Sequence, residues 1–575
     1  MSENTEAKEN AKNDLKDQLQ AQINSVNKSF KSKDKDKRTQ FEKEYDKVLF
    51  SAYFRALSDK TQVVPLSKQD HNHNRLTHSL EVASVGYSFG NMLDEWLFFK
   101  KNESAAFVRL EGEDIPRDKD LPLIIATACL LHDIGNPPFG HAGEEAIKHF
   151  FKNNFNKSSD KSRGDFVYKE TSFYLEDEAL EGFRRFDGNA NGFRIATRLA
   201  GKSPTELSSI EWEDNRKEVI LKIGLKLSNI TLATGLKYPF CAGYYPCDKE
   251  KDKFGYFKSE TEIFNWLCAN TLVSNKKKGK SEPKYIRHPL AYLVEAADDI
   301  CNLVIDFEDA IINGHANPEN LMIDAIKLWG SKDLGFTIYD DKPYLIRGAS
   351  MLPLDNISRD TLGSSTVYTA EEKELINVYL EIRDSASKLT RYDANVPIKI
   401  EQLKALESIR AEVLGMLISS IFKKFQENLQ KILSGYLEDE AHKPIVSLMD
   451  LACEDIGKDN VEKFRSKYLS NSLYIHKRKS NIEIAGYKIT NHILELFFDS
   501  LADFKISDFK FKNCSTRTKH LLRYIGIDSD NNGEINRRSQ FSDYDLALRV
   551  VDFITKASDT EIMAFYQGVT GLNTH

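Results

Sequence analysis

Residues 121–131 read Leu-Pro-Leu-Ile-Ile-Ala-Thr-Ala-Cys-Leu-Leu and stop at His132-Asp133. An apolar run of this length cannot cross a bilayer, which takes roughly 18 residues or more. As a helix it has no polar face to offer water, so other elements must cover it on every side. The turn Gly135-Asn136-Pro137-Pro138-Phe139-Gly140 follows and cannot continue a helix. A histidine and an aspartate, both able to bind a metal, therefore stand at a buried helix end. Taken alone, the pair is explained equally well by a core histidine beside an ion-paired or capping aspartate.

The rest of the chain supplies the cover. Phe50, Phe54 and Leu57 recur at helical spacing, and similar periodicity marks residues 80–97, 142–151 and 290–312. Further helices are expected at 371–389, 403–433, 492–504 and 544–555, which makes the fold class mostly α. Residues 102–120, 152–165, 241–253 and 275–281 read as loops. With 575 residues, 41% of them apolar, the chain can bury a large core. A net charge of −7 excludes a wholly basic nucleic-acid coat. Seven cysteines without paired spacing point to a reducing compartment. Cys241 and Cys247, the near pair, lack the second pair that a structural zinc would need.

Residues 1–37 are dense in Lys, Glu, Asp, Asn and Gln and are expected to form a charged, disordered leader without the apolar core of a secretory signal. The expectation is a cytoplasmic protein with no membrane partner. Two segments imitate ligand loops and fall short. Asn275-Lys276-Lys277-Lys278-Gly279-Lys280-Ser281 ends like a phosphate-binding loop, but Ser274 stands where that motif needs glycine. Residues 528–536 have the oxygen ligands and glycine of a calcium loop, but Ser539 occupies the position of the bidentate glutamate.

The company of His132-Asp133 shifts the balance toward chemistry. His78 lies near the start of the amphipathic stretch Arg75-Leu76-Thr77-His78-Ser79-Leu80-Glu81-Val82-Ala83, and Asp298-Asp299 sits in an otherwise apolar helix. A carboxylate in such surroundings costs several kcal/mol unless a cation or hydrogen bonds compensate it. A divalent metal would, and His78, His132, Asp133 and one of the 298–299 pair make a mixed N/O set suited to Mn, Fe, Co, Ni or Zn. Asp298, Asn302 and Asp306 follow at i, i+4 and i+8 on one helical face.

These residues resemble the HD superfamily of metal-dependent phosphohydrolases and, more closely, its deoxynucleoside triphosphate triphosphohydrolases, the dGTPase family. The resemblance rests on Phe50-Ser51-Ala52-Tyr53-Phe54-Arg55-Ala56-Leu57, Lys60-Thr61-Gln62-Val63, the segment from Arg75 and His132-Asp133-Ile134-Gly135-Asn136-Pro137-Pro138-Phe139-Gly140-His141-Ala142-Gly143-Glu144. It continues through Phe186-Asp187-Gly188-Asn189-Ala190, Leu236-Lys237-Tyr238-Pro239, Lys253-Phe254-Gly255-Tyr256-Phe257 and His288-Pro289-Leu290. Beyond about residue 310 only Val551-Asp552-Phe553-Ile554 echoes it. The implied fold is an HD-type helical core over residues 38–350. A helical C-terminal region over 351–575 would complete that core or regulate it.

The resemblance implies that His78, His132, Asp133 and Asp298 hold one divalent metal, with Mg²⁺ accompanying the substrate triphosphate. His141 and Glu144, at i and i+3, would form a proton-handling pair; the plain alternative is that His141 merely caps its helix. Gln62 and Asp306 match positions that read the sugar 3′-hydroxyl, Arg75 matches a phosphate contact, and Lys253 is a second phosphate ligand or else solvated surface. A water made acidic by the cation would attack the α-phosphorus, giving deoxynucleoside and triphosphate. The family also implies a homo-oligomer, a hexamer, with a dNTP or single-stranded DNA effector. Asn302 stands where relatives carry a sugar-packing tyrosine, and Ala557-Ser558-Asp559-Thr560 lacks the arginine that usually follows the aspartate. The competing readings are another HD-type phosphohydrolase or phosphodiesterase, and a nucleotide-regulated binding protein with little turnover.

Overall fold

The computed structural model describes most of residues 2–312 and, beyond them, 336–353, 400–434, 447–456, 477–527 and 542–571. Gln62, the side chain of Asp306, the basic segment 275–281 and the calcium-loop-like 528–536 lie outside the described residues. In chain order the helices are α1 (Ser2–Ser29), α2 (Gln40–Leu49), α3 (Ala52–Arg55), α4 (Arg75–Phe98), α5 (Asp120–Leu131), α6 (His141–Asn154), α7 (Asp177–Arg184), α8 (Gly188–Arg194), α9 (Asn229–Thr234), α10 (Thr261–Asn270) and α11 (Pro289–Ile312). They continue with α12 (Ile400–Ser434), α13 (Leu448–Ile456), α14 (Lys477–Ile506), α15 (Thr516–Tyr524), α16 (Asp543–Lys556) and α17 (Asp559–Thr570). The fold is mostly α.

The chain divides into two units, and the division cuts across the boundary expected at residue 350. One comprises residues 1–294, 430–445 and 478–575; the other 295–429 and 446–477. The first unit is built on α5, whose apolar residues are buried except for the partly buried Leu123, as a helix without a polar face requires. Close approach to α4 makes this possible. A Cβ on Gly86 would stand 2.4 Å from Cys129 Sγ, and one on Gly90 2.4 Å from Pro122 Cα. Both positions need glycine because the neighbouring helix fills the space a side chain would take. Pro122 is tolerated because it lies in the first turn of α5, where the N–H it lacks would have had no intrahelical acceptor.

Residues 2–29 correct the expectation of a disordered leader. They form α1, and Leu15, Leu19, Ile23 and Val26 are buried along one stripe. Asn27 Nδ2 donates to Asp120 Oδ2 at 3.2 Å, at the start of α5. The loop expected at 102–120 contains a hairpin of β1 (Phe107–Leu110) and β2 (Glu113–Pro116), antiparallel with Arg109 opposite Asp114. The loop expected at 152–165 begins as the end of α6 and then β3 (Phe155–Lys157), which pairs antiparallel with β4 (Phe166–Tyr168), itself paired with β5 (Tyr174–Leu175).

A second core of the same unit is rich in phenylalanine. Phe150, Phe151, Phe183 and Phe186 from the α6–α8 region pack with Phe497, Phe498 and Leu501 of α14 and with Leu546, Val550 and Val551 of α16. Phe151 and Phe183 stack at 4.4 Å between centroids. The C-terminal helices α14 to α17 therefore complete the core around α6. In the second unit, α11 continues beyond residue 294 and is followed by an antiparallel meander of β6 (Phe336–Tyr339), β7 (Lys342–Arg347) and β8 (Ser350–Pro353), then α12 and α13.

Candidate metal centre

The geometry begins with α4 and α5 held close by Gly86 and Gly90. His78 sits in the first turns of α4, His132 caps the C-terminal end of α5, and Asp133 follows it. Their ligand atoms lie within 4.8 Å of one another. His78 and Asp133 are buried and His132 is half-buried, with the two imidazoles edge to face at 5.2 Å. The His132 Nδ1 faces Cys129 O at 2.6 Å. A carbonyl can only accept, so Nδ1 carries the proton and the Nε2 lone pair is the one offered to a metal. Asp133 is oriented from two sides. Arg75 Nη1 donates to its Oδ2 at 2.7 Å, and Asn136 Nδ2 donates to its Oδ1. Two imidazoles and a carboxylate at this spacing, with one tautomer fixed and the carboxylate steered, fit a divalent cation.

Arg75, expected to touch phosphate, is thus engaged with Asp133. Asp298 belongs to the second unit, on α11, where Asn302 Nδ2 donates to its Oδ1 at 2.7 Å. The i to i+4 spacing read from the sequence puts those two side chains in contact. The structure brings together His78, His132, Asp133 and Arg75.

His141 opens α6 but does not cap it, because the N-cap is Gly140. Its side chain is 91% exposed, with Nδ1 3.6 Å from Oε2 of the buried Glu144. Glu144 Oε1 accepts the Gly188 N–H at 3.0 Å. Burial drives the Glu144 pKa upward, but His141, Lys253 and Lys148 outweigh it and leave the carboxyl below its ordinary value. Lys253 is not loose surface. Its ammonium lies 3.0 Å from Asp187 Oδ2. Desolvation pulls its pKa down, but Asp187, Tyr238 and Glu144 raise it overall. Asp187 is fully buried, which raises its pKa, and it caps α8 by accepting the Asn189 N–H at 2.7 Å.

The residues that sequence reasoning left unassigned are Asp187, Asn136 and Lys60. Asp187 and Asn136 stood inside quoted motifs, but the pairing of Asp187 with Lys253 joins residues far apart in the chain. Lys60 is fully buried, and its ammonium donates at 2.7 Å to both Asn136 O and Thr555 O. Desolvation, with help from Arg75, pushes its pKa down to about 7.

Comparison with known proteins agrees with this geometry. The HD domain family matches residues 75–191, which include His78, His132, Asp133, His141 and Glu144. A "Deoxyguanosinetriphosphate triphosphohydrolase-like protein" of Pseudomonas aeruginosa is 36% identical over 295 residues, 50% of this chain; the chain spans only about half, 55%, of that relative's length. Proteins of the same name are similar over far more of the chain. That of Listeria monocytogenes is 28% identical across 94% of this chain and 96% of its own, and that of Synechocystis sp. 27% identical across 93% and 94%. Among the described residues no helix is long and apolar enough to cross a membrane. The HD match, over residues 75–191, thus lies on the two histidines and the aspartate that the fold packs together.

Proposed function

We propose that the protein hydrolyses a deoxynucleoside triphosphate at the α-phosphate, releasing the deoxynucleoside and inorganic triphosphate. The observation that supports this reading most is the convergence of His78, His132 and Asp133, followed one turn later by His141 and the buried Glu144. A divalent cation held by these three residues, with Asp298 as the fourth ligand, would supply Lewis acidity toward a phosphate oxygen and the attacking water. Arg75 and Asn136 keep Asp133 oriented, and the Arg75 charge helps balance what develops on the phosphate. His141 presents Nδ1 to Glu144, so Nε2 is the atom that gives a proton to the departing 5′-oxygen. Lys253, with Gln62, Asn302 and Asp306, would bind the substrate. The names of the relatives support a guanine deoxynucleotide as the first substrate to try, and an oligomer with a nucleotide or single-stranded DNA effector belongs to the same reading.

The test is direct. Purified protein is incubated with each dNTP and NTP, singly and mixed, with Mn²⁺ or Mg²⁺, and the products are separated by chromatography. Inorganic triphosphate that vanishes in His132→Ala supports the proposal. Monophosphate plus pyrophosphate, or turnover undiminished in that variant, overturns it.

A further inference from the structure

Two sets of contacts tie the end of the chain to the turn between Asp133 and His141, and a third fixes the start of α17 beside them. Asp559, the first residue of α17 and buried, accepts the Phe139 N–H at 2.9 Å. Lys60 spans Asn136 O in that turn and Thr555 O in the last turn of α16. Asp59, beside Lys60, accepts from Ser558 Oγ at 2.6 Å, Thr560 N at 3.2 Å and Thr560 Oγ1 at 3.0 Å, which fixes the start of α17. Thr560, the residue that departs from the family's arginine, thus has a defined partner.

The turn needs holding. Phe139 has φ 61° and Gly140 φ 55°. A non-glycine residue stays in that region only when its surroundings over-determine it. Here they do so from two sides. The Phe139 ring is buried against α14, where a Cβ on Gly486 would stand 2.5 Å from its Cγ, and the Phe139 amide is held by Asp559. The turn also has functional groups at both ends. Asn136 donates to Asp133, and His141 begins α6 directly after Gly140.

We propose that Asp559 is a positioning residue, acting with Lys60 to hold the 136–140 turn in the geometry from which His141 enters the site. The catalytic consequence rests on the proposed function; the ordering of the turn does not. The experiment is hydrogen exchange on the full chain, read by mass spectrometry over residues 136–144, for wild type, Asp559→Ala, Asp559→Asn and Lys60→Met. Mn²⁺ titration and steady-state kinetics accompany it.

Asp559→Ala is expected to speed exchange of these amides about tenfold or more, whereas Asp559→Asn, which keeps an acceptor oxygen, stays near wild type. In Asp559→Ala kcat falls about tenfold or more with KM and Mn²⁺ affinity little changed, and Asp559→Asn recovers most of it. Lys60→Met moves exchange in the same direction and carries the test should Asp559→Ala fail to fold. Exchange unchanged in both Asp559→Ala and Lys60→Met overturns the proposal, as does an Asp559→Asn variant as loose and slow as Asp559→Ala. If no nucleotide is turned over by any form, the hydrolase reading fails, while faster exchange in Asp559→Ala still supports the ordering of the 136–140 turn by Asp559.

Discussion

Asp133 accepts hydrogen bonds from Arg75 and Asn136, and these set its orientation. Asn136→Ala should therefore weaken Mn²⁺ binding about 10- to 100-fold, read by calorimetric titration, as for other partners of metal ligands. Unchanged affinity would contradict this role. Lys60 makes a prediction about pH. Its folded pKa of about 7 lies below its unfolded value of about 10.4, so the unfolded chain binds more protons between the two. Its contribution to stability is therefore fullest above the unfolded value and is lost as pH falls toward about 7. In chemical denaturation, wild type should gain on Lys60→Met as pH rises from 7 to about 9; a constant gap would contradict the assignment. At this scale much was legible. His132 and Asp133 stood out as metal-capable groups at the end of an apolar run and His78 in an amphipathic stretch, but only their company and the family resemblance tipped them toward a metal site. The ties of Lys253 to Asp187 and of Lys60 to Asn136 and Thr555 were not, because a surface lysine and a buried one look alike in sequence.

At the scale of elements, the α4–α5 contact decides whether His78 and His132 meet. A Cβ on Gly90 would strike the backbone of Pro122, which cannot step aside. Gly90→Ala should cost about 1–3 kcal/mol in urea denaturation and weaken metal binding. Gly568 in α17 has nothing within 4 Å of such a Cβ, so Gly568→Ala should instead add about 0.5–1 kcal/mol. Equal effects at the two sites would show that the close approach is not what places the histidines. The helices expected at 80–97, 142–151 and 544–555 are found with ends shifted by a few residues, because their apolar spacing is strong. α1 was missed because its charged composition outweighed the spacing of Leu15, Leu19, Ile23 and Val26. The β1–β2 hairpin was missed because strands of four residues show too little alternation to read.

At the scale of the molecule, the C-terminal helices belong to the same unit as the metal centre. Arg194 of α8 donates to both Asp552 oxygens at 2.8 Å and to Glu260 Oε1 at 2.7 Å, a buried network between α16 and the HD segment. Asp552→Ala leaves that arginine short of a partner and should cost about 3–5 kcal/mol; a loss below about 1 kcal/mol would mean that α16 is peripheral. None of this pairing could be read from residues some 350 positions apart, where the only hint was the brief Val551-Asp552-Phe553-Ile554 match. The net charge of −7 gains a meaning here. Under the proposed function, an acidic chain would draw a polyanionic substrate through local cations, for which Arg75 and Lys253 are the candidates. The claim that water attacks the α-phosphorus is tested most directly by running the reaction in oxygen-18 water and locating the label by mass spectrometry. The account predicts label in the inorganic triphosphate and none in the deoxynucleoside. Label in the deoxynucleoside 5′-hydroxyl, or in a nucleoside monophosphate, would contradict it.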